Sequence, residues 1–267
     1  MELYRVKPGG KVDLKKWATA DQSAFPAGKE KALQELRRLN EKLDELQDLL
    51  YAGRRHKVLI VLQGMDTSGK DGTIRRVFEH VDPLGVRAVS FKQPTPEELE
   101  HDYLWRVHRQ VPGKGEMVIF NRSHYEEVLV VRVHNLVPKE VWQKRYDHIV
   151  AFERMLAEEG TTIVKFFLHI SKKEQARRLQ ERVDDKAKNW KFDHSDLKER
   201  KHWPEYVKAY EEVLGKTSKK WAPWHIVPSD RKWFRNLMVA SILVDTLKGL
   251  DLKPPQAHFD PSKIVIK

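Results

Sequence analysis

The stretch Val58-Leu-Ile-Val-Leu-Gln-Gly-Met-Asp-Thr-Ser-Gly-Lys-Asp-Gly72 decides the fold of this chain. Its first five residues, 58–62, are all apolar, and such a run predicts a buried parallel strand. Gly64 to Lys70 then has the spacing Gly-x-x-x-x-Gly-Lys, which is typical of a phosphate-binding loop. The apolar spacing beyond the loop predicts a helix over residues 69–81. The loop therefore has the strand before it and the helix after it that the motif requires.

The residues of this loop are candidates for binding a chain of phosphates. Glycines allow the backbone to curl so that successive N–H groups point at an anion. The start of the following helix adds the positive end of its dipole, and the lysine adds a mobile positive charge. The alternative is a plain strand-to-helix turn with a solvated lysine. The predicted phosphate-binding residues are Gly64, Thr67, Ser68, Gly69, Lys70 and Asp71.

Two carboxylates distinguish this loop from the usual motif. Asp71 occupies the position where a Ser or Thr hydroxyl normally holds magnesium, and Asp66 lies inside the loop. Two acids in a phosphate cradle would repel the ligand unless a divalent cation lies between them. Asp66 and Asp71 are therefore the predicted metal ligands, with Mg²⁺ expected and Mn²⁺ as the alternative ion.

The composition fits a single α/β domain of ordinary size. The chain has 267 residues, of which 40% are hydrophobic and 33% are charged. The sequence contains no run of eighteen apolar residues, and residues 1–16 lack the apolar core of a signal peptide. We therefore expect a cytoplasmic protein without a membrane partner. Cys is absent, which excludes disulfides and thiolate metal sites.

The chain carries a large excess of positive charge. Lys and Arg number 50 against 39 Asp and Glu, which gives a formal net charge of +11. Such an excess favours an anionic partner: a nucleic acid, a membrane surface or a phosphorylated ligand. Plain solubility is the alternative explanation.

The chain alternates predicted strands and helices, which indicates a parallel sheet with helices on both faces. The predicted strands are 58–62, 86–91, 117–120, 162–170 and 225–227. The predicted helices are 69–81, 96–110, 138–158, 171–184, a pair within 195–214, and 231–249. The fold class is therefore α/β, with a five-stranded parallel sheet.

Three segments are predicted along the chain. Residues 1–55 form an N-terminal arm and an amphipathic helix, whose leucines recur at helical spacing over 29–51. This helix is expected to pack on its own domain rather than in a coiled coil, and a subunit contact is the alternative. Residues 56–250 form the phosphate-binding domain, with a helical lid over about 171–215. Residues 251–267 form a C-terminal tail.

A second polar cluster follows the third predicted strand. Asn121, Arg122 and Glu126 lie at or just beyond its carboxyl end, which in open parallel sheets faces the ligand crevice. Arg122 offers a planar fork for bidentate phosphate binding, with a surface ion pair as the alternative. Lys92 follows the second strand at the same edge, and Arg106 lies on the next helix. These five residues are the predicted binding site for an acceptor phosphate.

A third feature is the basic segment 172–191, which carries eight basic and four acidic side chains. Arg178 and Arg182 are four residues apart and share a helix face, and Lys188 lies in the loop that follows. A solvated helix face is the alternative. In nucleotide kinases a mobile lid closes over phosphates at this place in the chain. The segment is therefore predicted to be a lid.

The motifs together resemble those of family 2 polyphosphate kinases over about residues 30–250. They are Gly-x-Asp-x-x-Gly-Lys-Asp-Gly at 64–72, Phe-Lys-Gln-Pro-Thr at 91–95, His-Asp-Tyr-Leu-Trp-Arg at 101–106, Phe-Asn-Arg-Ser-x-Tyr-Glu at 120–126, and the Arg-rich lid. The resemblance implies a thymidylate-kinase-like P-loop core. It also implies magnesium-dependent, reversible and direct in-line phosphoryl transfer from inorganic polyphosphate to a nucleotide.

The resemblance also implies roles for individual residues. The predicted catalytic residues are Asp66, Lys70 and Arg122. Lys70 and the loop backbone would hold polyphosphate, Asp66 would orient the acceptor phosphate or its magnesium, and Arg122 would clamp the transferred group. Arg178, Arg182 and Lys188 of the lid would bind the same polyphosphate chain.

The expected acceptors follow from a departure from the family pattern. Many relatives have Asp at the position of Asn121, and this change together with Glu126 resembles the subgroup that acts on both AMP and ADP. Adenine nucleotides are therefore the expected acceptors, with guanine nucleotides as a further candidate. A homo-oligomer is also expected.

Two alternative functions remain at this point. An ATP-dependent nucleoside monophosphate kinase would share the fold, but Asp71 and the basic lid favour a longer polyanion as donor. A nucleic-acid-binding protein with a relic phosphate loop would share the net charge. The sequence offers no base-stacking platform or recognition-helix motif for it, so no nucleic-acid partner is expected.

Overall fold

Five parallel strands form the single sheet of the computed structural model, which describes residues 2–187, 189–256, 259, 263, 264 and 266. The strands are β1 (Lys57–Gln63), β2 (Val86–Ser90), β3 (Met117–Asn121), β4 (Thr161–His169) and β5 (Trp224–Pro228). Their order across the sheet is β2-β3-β1-β4-β5, and every pairing is parallel. All five predicted strands and the α/β class are confirmed.

Ten α-helices are assigned in the described part of the chain. They are α1 (Gly28–Gly53), α2 (Lys70–Val77), α3 (Pro96–Leu99), α4 (Trp105–His108), α5 (Val130–Val133), α6 (Lys139–Glu158), α7 (Lys172–Asp184), α8 (His194–Glu199), α9 (Trp203–Thr217) and α10 (Lys232–Lys248). Within the residues described, no helix combines the length and the apolarity that a bilayer crossing demands.

Strand β1 lies at the centre of the sheet and is buried on both faces. Leu59 and Val61 belong to the hydrophobic cluster that includes residues of α6 and α9. Ile60 and Leu62 belong to the opposite cluster, with residues of α1 and α10. Burial on both faces explains why this strand is an uninterrupted apolar run rather than an alternating one.

Two predicted helices were too long. The helix predicted over 69–81 ends at Val77, because Phe78 leaves the helical conformation with φ −106° and ψ 24°. The helix predicted over 96–110 is two short helices, α3 and α4. The break occurs because Asp102 Oδ1 accepts a hydrogen bond from the Leu104 N–H at 2.9 Å and so starts a new turn.

Two short elements after β3 were missed. Residues His124–Val128 form a 3₁₀ turn, and α5 follows it directly. The hydroxyl of Ser123 caps the turn, since it accepts a hydrogen bond from the Tyr125 N–H at 3.2 Å. Elements of four or five residues are too short for hydrophobic periodicity to detect.

The N-terminal arm packs against the edge of the sheet. Val6 N donates to Trp224 O of β5 at 2.8 Å, and Tyr4, Val12 and Leu14 are buried. Helix α1 then packs along α10 through a buried stripe of leucines, so its predicted packing on its own domain is confirmed. The predicted tail, 251–267, lies partly outside the described residues.

Candidate active site

The two polar clusters meet at one edge of the sheet. Strands β1 and β3 are parallel neighbours, so the loop after β1 and the turn after β3 lie side by side. Arg122 N in that turn donates to Leu62 O of β1 at 3.1 Å. Ligands of open parallel sheets bind at this carboxyl edge, which makes it the candidate active site.

The backbone of the phosphate loop adopts conformations that require glycine. Gly64 has φ 155° and Gly69 has φ 105°. A Cβ on Gly64 would lie 2.7 Å from Ser68 Oγ, and one on Gly69 would lie 1.8 Å from Arg235 Nη1. The hydroxyls of Thr67 and Ser68 are buried and bond to none of the described residues. A curled loop with hydroxyls available for hydrogen bonding is suited to phosphate oxygens.

Lys70 lies beneath this loop at the start of α2. Its side chain is only 8% exposed, and Nζ donates to Gly64 O at 2.8 Å. Burial, the larger cause, and the charge of Arg122 together lower the pKa of Lys70 to about 8, although Asp66, Glu126 and Asp71 oppose them. A lysine charge that is so poorly compensated gains from an incoming phosphate.

Arg122 faces the loop from the turn after β3. Its Nη2 donates to Asp66 Oδ1 at 2.8 Å, and its Nη1 lies 3.8 Å from Glu126 Oε2. Burial opposes the charge of Arg122, but Glu126 and Asp66 outweigh it and raise the Arg122 pKa. The structure therefore brings together all three predicted catalytic residues, together with Glu126. Their chemical roles stay predictions.

The predicted metal ligands carry oxygen donors at the same edge. Asp71 is exposed and accepts a hydrogen bond from Asn121 Nδ2 at 2.7 Å, and Asp66 is half-buried. No group of three or more His, Cys, Asp or Glu side chains that could hold a metal was found in the described ranges. Mg²⁺ is commonly bound by one or two carboxylates plus substrate phosphates. Asp66 and Asp71 fit a divalent ion of that kind.

The prediction for Arg178 has to be corrected. This side chain is 5% exposed and packs behind the phosphate loop instead of facing the crevice. Its Nη1 donates to Thr67 O and Ser68 O, its Nη2 to Ser229 O and Asp230 O, and its Nε to Glu174. Five hydrogen bonds use all five N–H groups of a guanidinium, so none remains for polyphosphate. Arg178 supports the loop from behind.

A second buried arginine, Arg235 of α10, lies at the loop, although no sequence motif marks it. It is 2% exposed, and its Nη1 donates to Ser68 O at 3.0 Å. Its Nε and Nη2 both donate to Asn236 Oδ1. Burial, the larger cause, and the charge of Arg178 together lower the Arg235 pKa to about 9. No carboxylate among the described residues pairs with Arg235.

The remaining lid residues differ in how they are placed. Arg182 is partly exposed, and its Nη1 lies 3.5 Å from Asp196 of α8. Its role in binding polyphosphate stays a prediction. Lys188 lies outside the described residues.

The two basic residues after β2 also differ. Lys92 is exposed at the carboxyl end of that strand. Arg106 is largely buried, where it donates to Lys92 O at 3.0 Å and to Glu98 Oε2 at 3.2 Å. Arg106 therefore braces the segment that carries Lys92. Acceptor binding by either residue stays a prediction.

A small pocket beside the loop is walled by aromatic residues of α9 that the sequence analysis did not single out. Trp203, Tyr206 and Tyr210 line it together with Asp66 and Arg122. Residues 203, 206 and 210 lie three and four apart, which places them on one helix face. That spacing is the signal that could have identified them. We call this pocket the acceptor pocket because Arg122 and Glu126, two of the predicted acceptor-binding residues, line it.

A buried ion pair supports the turn that carries Arg122. Lys165 Nζ donates to Glu153 Oε2 at 2.5 Å and to the Tyr125 hydroxyl at 2.8 Å. Tyr125 in turn donates to Glu153 Oε1 at 2.7 Å. Burial raises the pKa of Glu153, but the charge of Lys165 and the hydrogen bonds from His124 and Lys165 together outweigh it and keep the Glu153 pKa below its ordinary value. The turn after β3 is thereby fixed to β4 and α6.

Comparisons with known proteins agree with this architecture. The family model described as polyphosphate kinase 2 (PPK2) matches residues 27–255. The AMP/ADP-polyphosphate phosphotransferase of Meiothermus ruber is 59% identical over 267 residues, which are 100% of both chains. The ADP-polyphosphate phosphotransferase of Rhodopseudomonas palustris is 45% identical over 265 residues, which cover 95% of this chain and 91% of that protein.

A solved structure is also similar over nearly the whole chain. The crystal structure of polyphosphate kinase 2 from Arthrobacter aurescens TC1 has a TM-score of 0.94 and 41% sequence identity, and the match covers 98% of this chain and 93% of that one. The match of the family model, the high identity to these relatives and the shared fold lead to one conclusion. The chain belongs to the polyphosphate kinase 2 family.

Proposed function

We propose that this protein transfers a phosphoryl group from inorganic polyphosphate to AMP and to ADP. The observation that carries the proposal is the convergence of Lys70 and Arg122, whose charges are close enough for Arg122 to lower the Lys70 pKa. One cation lies under the phosphate loop and the other beside the acceptor pocket. A phosphoryl group that moves from donor to acceptor would pass between them. The name of the Meiothermus ruber relative supports both acceptors.

The proposed reaction is a direct displacement. An oxygen of the terminal phosphate of AMP or ADP attacks the terminal phosphorus of polyphosphate, and a new P–O bond forms. The bond to the bridging oxygen breaks, so the donor leaves one phosphate shorter with the electron pair on that oxygen. Phosphoryl transfer of this kind depends on alignment and charge neutralisation more than on covalent catalysis. The reverse reaction uses the same arrangement.

The charged side chains have separate tasks in this proposal. Lys70 and the loop N–H groups bind the donor, while Arg122 binds the phosphoryl group during its transfer. Asp66 accepts a hydrogen bond from Arg122 and so fixes the direction of its guanidinium. Asp66 and Asp71 would hold the divalent ion that nucleotide kinases generally need, with Mg²⁺ proposed and Mn²⁺ as the alternative. That ion supplies positive charge against the phosphate oxygens when it is bound.

The test is an assay with polyphosphate, Mg²⁺ and either AMP or ADP, with no ATP added. We expect ADP to form from AMP and ATP to form from ADP. Lys70→Ala should lower the rate at least about a hundredfold, because removal of a charge contact in the transition state costs about 3 kcal/mol. Circular dichroism of the variant should show an intact fold.

Two outcomes would contradict the proposal. Absence of transfer to any nucleotide would exclude it, and transfer that starts only when ATP is the donor would favour a nucleoside monophosphate kinase. A panel of AMP, ADP, GMP and GDP also tests the expected preference for adenine nucleotides. The homo-oligomeric state and the cytoplasmic location stay predictions.

A further inference from the structure

Helix α7 holds the phosphate loop at a strained turn. Thr67 has φ 61°, a left-handed conformation that a β-branched residue rarely adopts. Such a conformation persists only where neighbouring groups hold it in place. Gln175 Nε2 of α7 donates to Asp66 O, just before the turn, at 3.1 Å. Arg178 of the same helix donates to Thr67 O, just after it, at 2.9 Å, so α7 holds the turn from both sides.

Gln175 is buried, and each end of its side-chain amide has one kind of partner. The residue is 4% exposed. Its Nε2 faces Asp66 O, which can only accept a hydrogen bond, and its Oε1 accepts one at 2.7 Å from Arg200 Nη1, which can only donate. A carboxylate at this place could accept from Arg200 but could not donate to Asp66 O, and a hydrocarbon side chain could do neither. The bridge therefore requires a neutral amide.

Arg200 connects this amide to the wall of the acceptor pocket. It lies in the 3₁₀ turn Arg200–His202 between α8 and α9. Its Nη1 also donates to Lys172 O, at the first residue of α7, at 2.8 Å. No carboxylate pairs with Arg200 among the residues that the structure describes, so its bonds to Lys172 and Gln175 are what ties this turn to α7. The aromatic wall of the pocket begins directly after the turn, at Trp203.

The two contacts of Gln175 belong to one chain of hydrogen bonds along the acceptor pocket. The residues of this chain, all of which line the pocket, are Arg200, Gln175, Asp66 and Arg122. Arg200 donates to Gln175, and Gln175 donates to the Asp66 carbonyl. The Asp66 carboxylate in turn accepts from Arg122 Nη2 at 2.8 Å. A shift of Arg200 therefore reaches Asp66 through a single side chain.

We propose that Gln175 is a positioning residue that couples the turn between α8 and α9 to the phosphate loop. While Arg200 is in place, Gln175 holds the Asp66 carbonyl and the strained turn at Thr67, and so fixes the direction of the Asp66 carboxylate toward Arg122. When Arg200 moves away, the buried amide loses one of its two partners and holds the loop less firmly. This inference rests on the proposed function and adds to it a residue that acts through Asp66.

Two variants of Gln175 separate its two contacts, and a third variant is the control. Gln175→Leu removes both hydrogen bonds at similar volume. Gln175→Glu keeps an acceptor for Arg200 but removes the donor to Asp66 O. The control is Gln180→Leu, the same change at an exposed residue of α7 whose amide bonds to Asp184. For each protein, kcat and the KM for polyphosphate are measured with ADP as the acceptor.

We expect both Gln175 variants to lower kcat about tenfold, because a small misplacement of aligned groups is costly in a positioned reaction. The KM for polyphosphate should stay within about twofold of wild type, since Lys70 and the loop N–H groups still bind the donor. Gln180→Leu should match wild type in both constants. An unchanged kcat in either Gln175 variant, or a raised KM with unchanged kcat, would overturn the inference.

A double-mutant cycle with Arg200→Met distinguishes coupling from a merely structural role. Gln175 and Arg200 act through one shared contact in this proposal, so their effects should not be independent. The loss of kcat in the double variant should be clearly smaller than the product of the two single losses. Losses that multiply would show two independent effects and would refute the coupling.

Hydrogen exchange of the ligand-free protein needs no turnover, so it separates this inference from the proposed function. If wild type transferred no phosphate, the proposed function would fail, and the coupling would still be tested. Gln175→Leu should make the amides of residues 64–69 and 194–202 exchange about tenfold faster than in wild type, whereas Gln180→Leu should leave them unchanged. Faster exchange in only one of the two segments, or in neither, would contradict the coupling.

Discussion

Replacement of Arg235 by Met should leave the ligand-free protein as stable as wild type, or more stable, while weakening its binding of phosphate. Arg235 is buried beneath Gly69 of the phosphate loop, and no described carboxylate neutralises it. Removing one partner of a buried ion pair usually destabilises a protein by about 3–5 kcal/mol. Arg235 differs because no described carboxylate pairs with it, and we expect bound phosphate to supply the counter-charge.

The size of each effect follows from the structure. The lowering of the Arg235 pKa to about 9 corresponds to roughly 5 kcal/mol of unfavourable free energy for its charge, at about 1.4 kcal/mol per pKa unit. Loss of its hydrogen bonds to Asn236 costs about 1–3 kcal/mol, whereas Ser68 O keeps its bond from Arg178. The balance therefore leaves the variant at least as stable as wild type. We take a separation of about 7 Å and an effective permittivity of about 20, at which two unit charges attract by about 2 kcal/mol, so binding should weaken roughly thirtyfold.

Thermal unfolding with and without tripolyphosphate measures both effects. At a ligand concentration of about 100 Kd, wild type should gain about 2.7 kcal/mol of stability, and the variant should gain about 0.9 kcal/mol at the same concentration. Arg231→Met is the control, because Arg231 is exposed at the start of the same helix. A ligand-free variant destabilised by more than about 2 kcal/mol, with unchanged tripolyphosphate affinity, would show that Arg235 is merely structural.

Three further predictions concern other residues. Because the Lys70 pKa is lowered to about 8, Lys70 is charged below that pH and loses its charge above it. The kcat/KM for polyphosphate should therefore fall as the pH rises beyond about 8. A flat pH profile of kcat/KM up to about pH 10 would contradict this role of Lys70. Asp66→Asn should lower kcat at least about a hundredfold, and more polyphosphate should not restore it; a raised KM with unchanged kcat would show that Asp66 serves donor binding instead. Tyr125→Phe should lower the free energy of unfolding by about 1–3 kcal/mol, because Glu153 and Lys165 each lose a buried hydrogen-bond partner. Urea denaturation measures this free energy. A variant as stable as wild type would contradict the hydrogen-bond network of Tyr125, Glu153 and Lys165.

Much of the fold was predictable because, in a parallel sheet, the hydrophobic pattern of a strand reflects how deeply the strand is buried. Strand β1 is buried on both faces, so its apolar run was unambiguous. The end of α2 at Val77 and the break between α3 and α4 were not predictable from periodicity, since the backbone of Phe78 and the turn at Asp102 set them. The short turn after β3 is likewise fixed by Ser123.

The candidate site was predictable in part. The loop residues and Arg122 were found because motif spacing and the carboxyl ends of parallel strands place them at one edge. Trp203, Tyr206 and Tyr210 were missed because a stripe of aromatic residues on a helix face fits a hydrophobic core equally well. Arg235 was missed because a single cation inside an apolar helix carries no motif.

The sequence by itself determined the family, the order of the strands along the chain and the loop that cradles phosphate, because each depends on residues close together in the chain. Only the tertiary structure decided how the arginines are placed around the loop. Helical spacing correctly places Arg178 and Arg182 on one face of α7, but it cannot say what covers that face. The packing of α7 against the phosphate loop and Asp230 takes up every N–H group of Arg178. The packing of α10 then puts Arg235 beneath Gly69, where its charge remains without a carboxylate in the described structure.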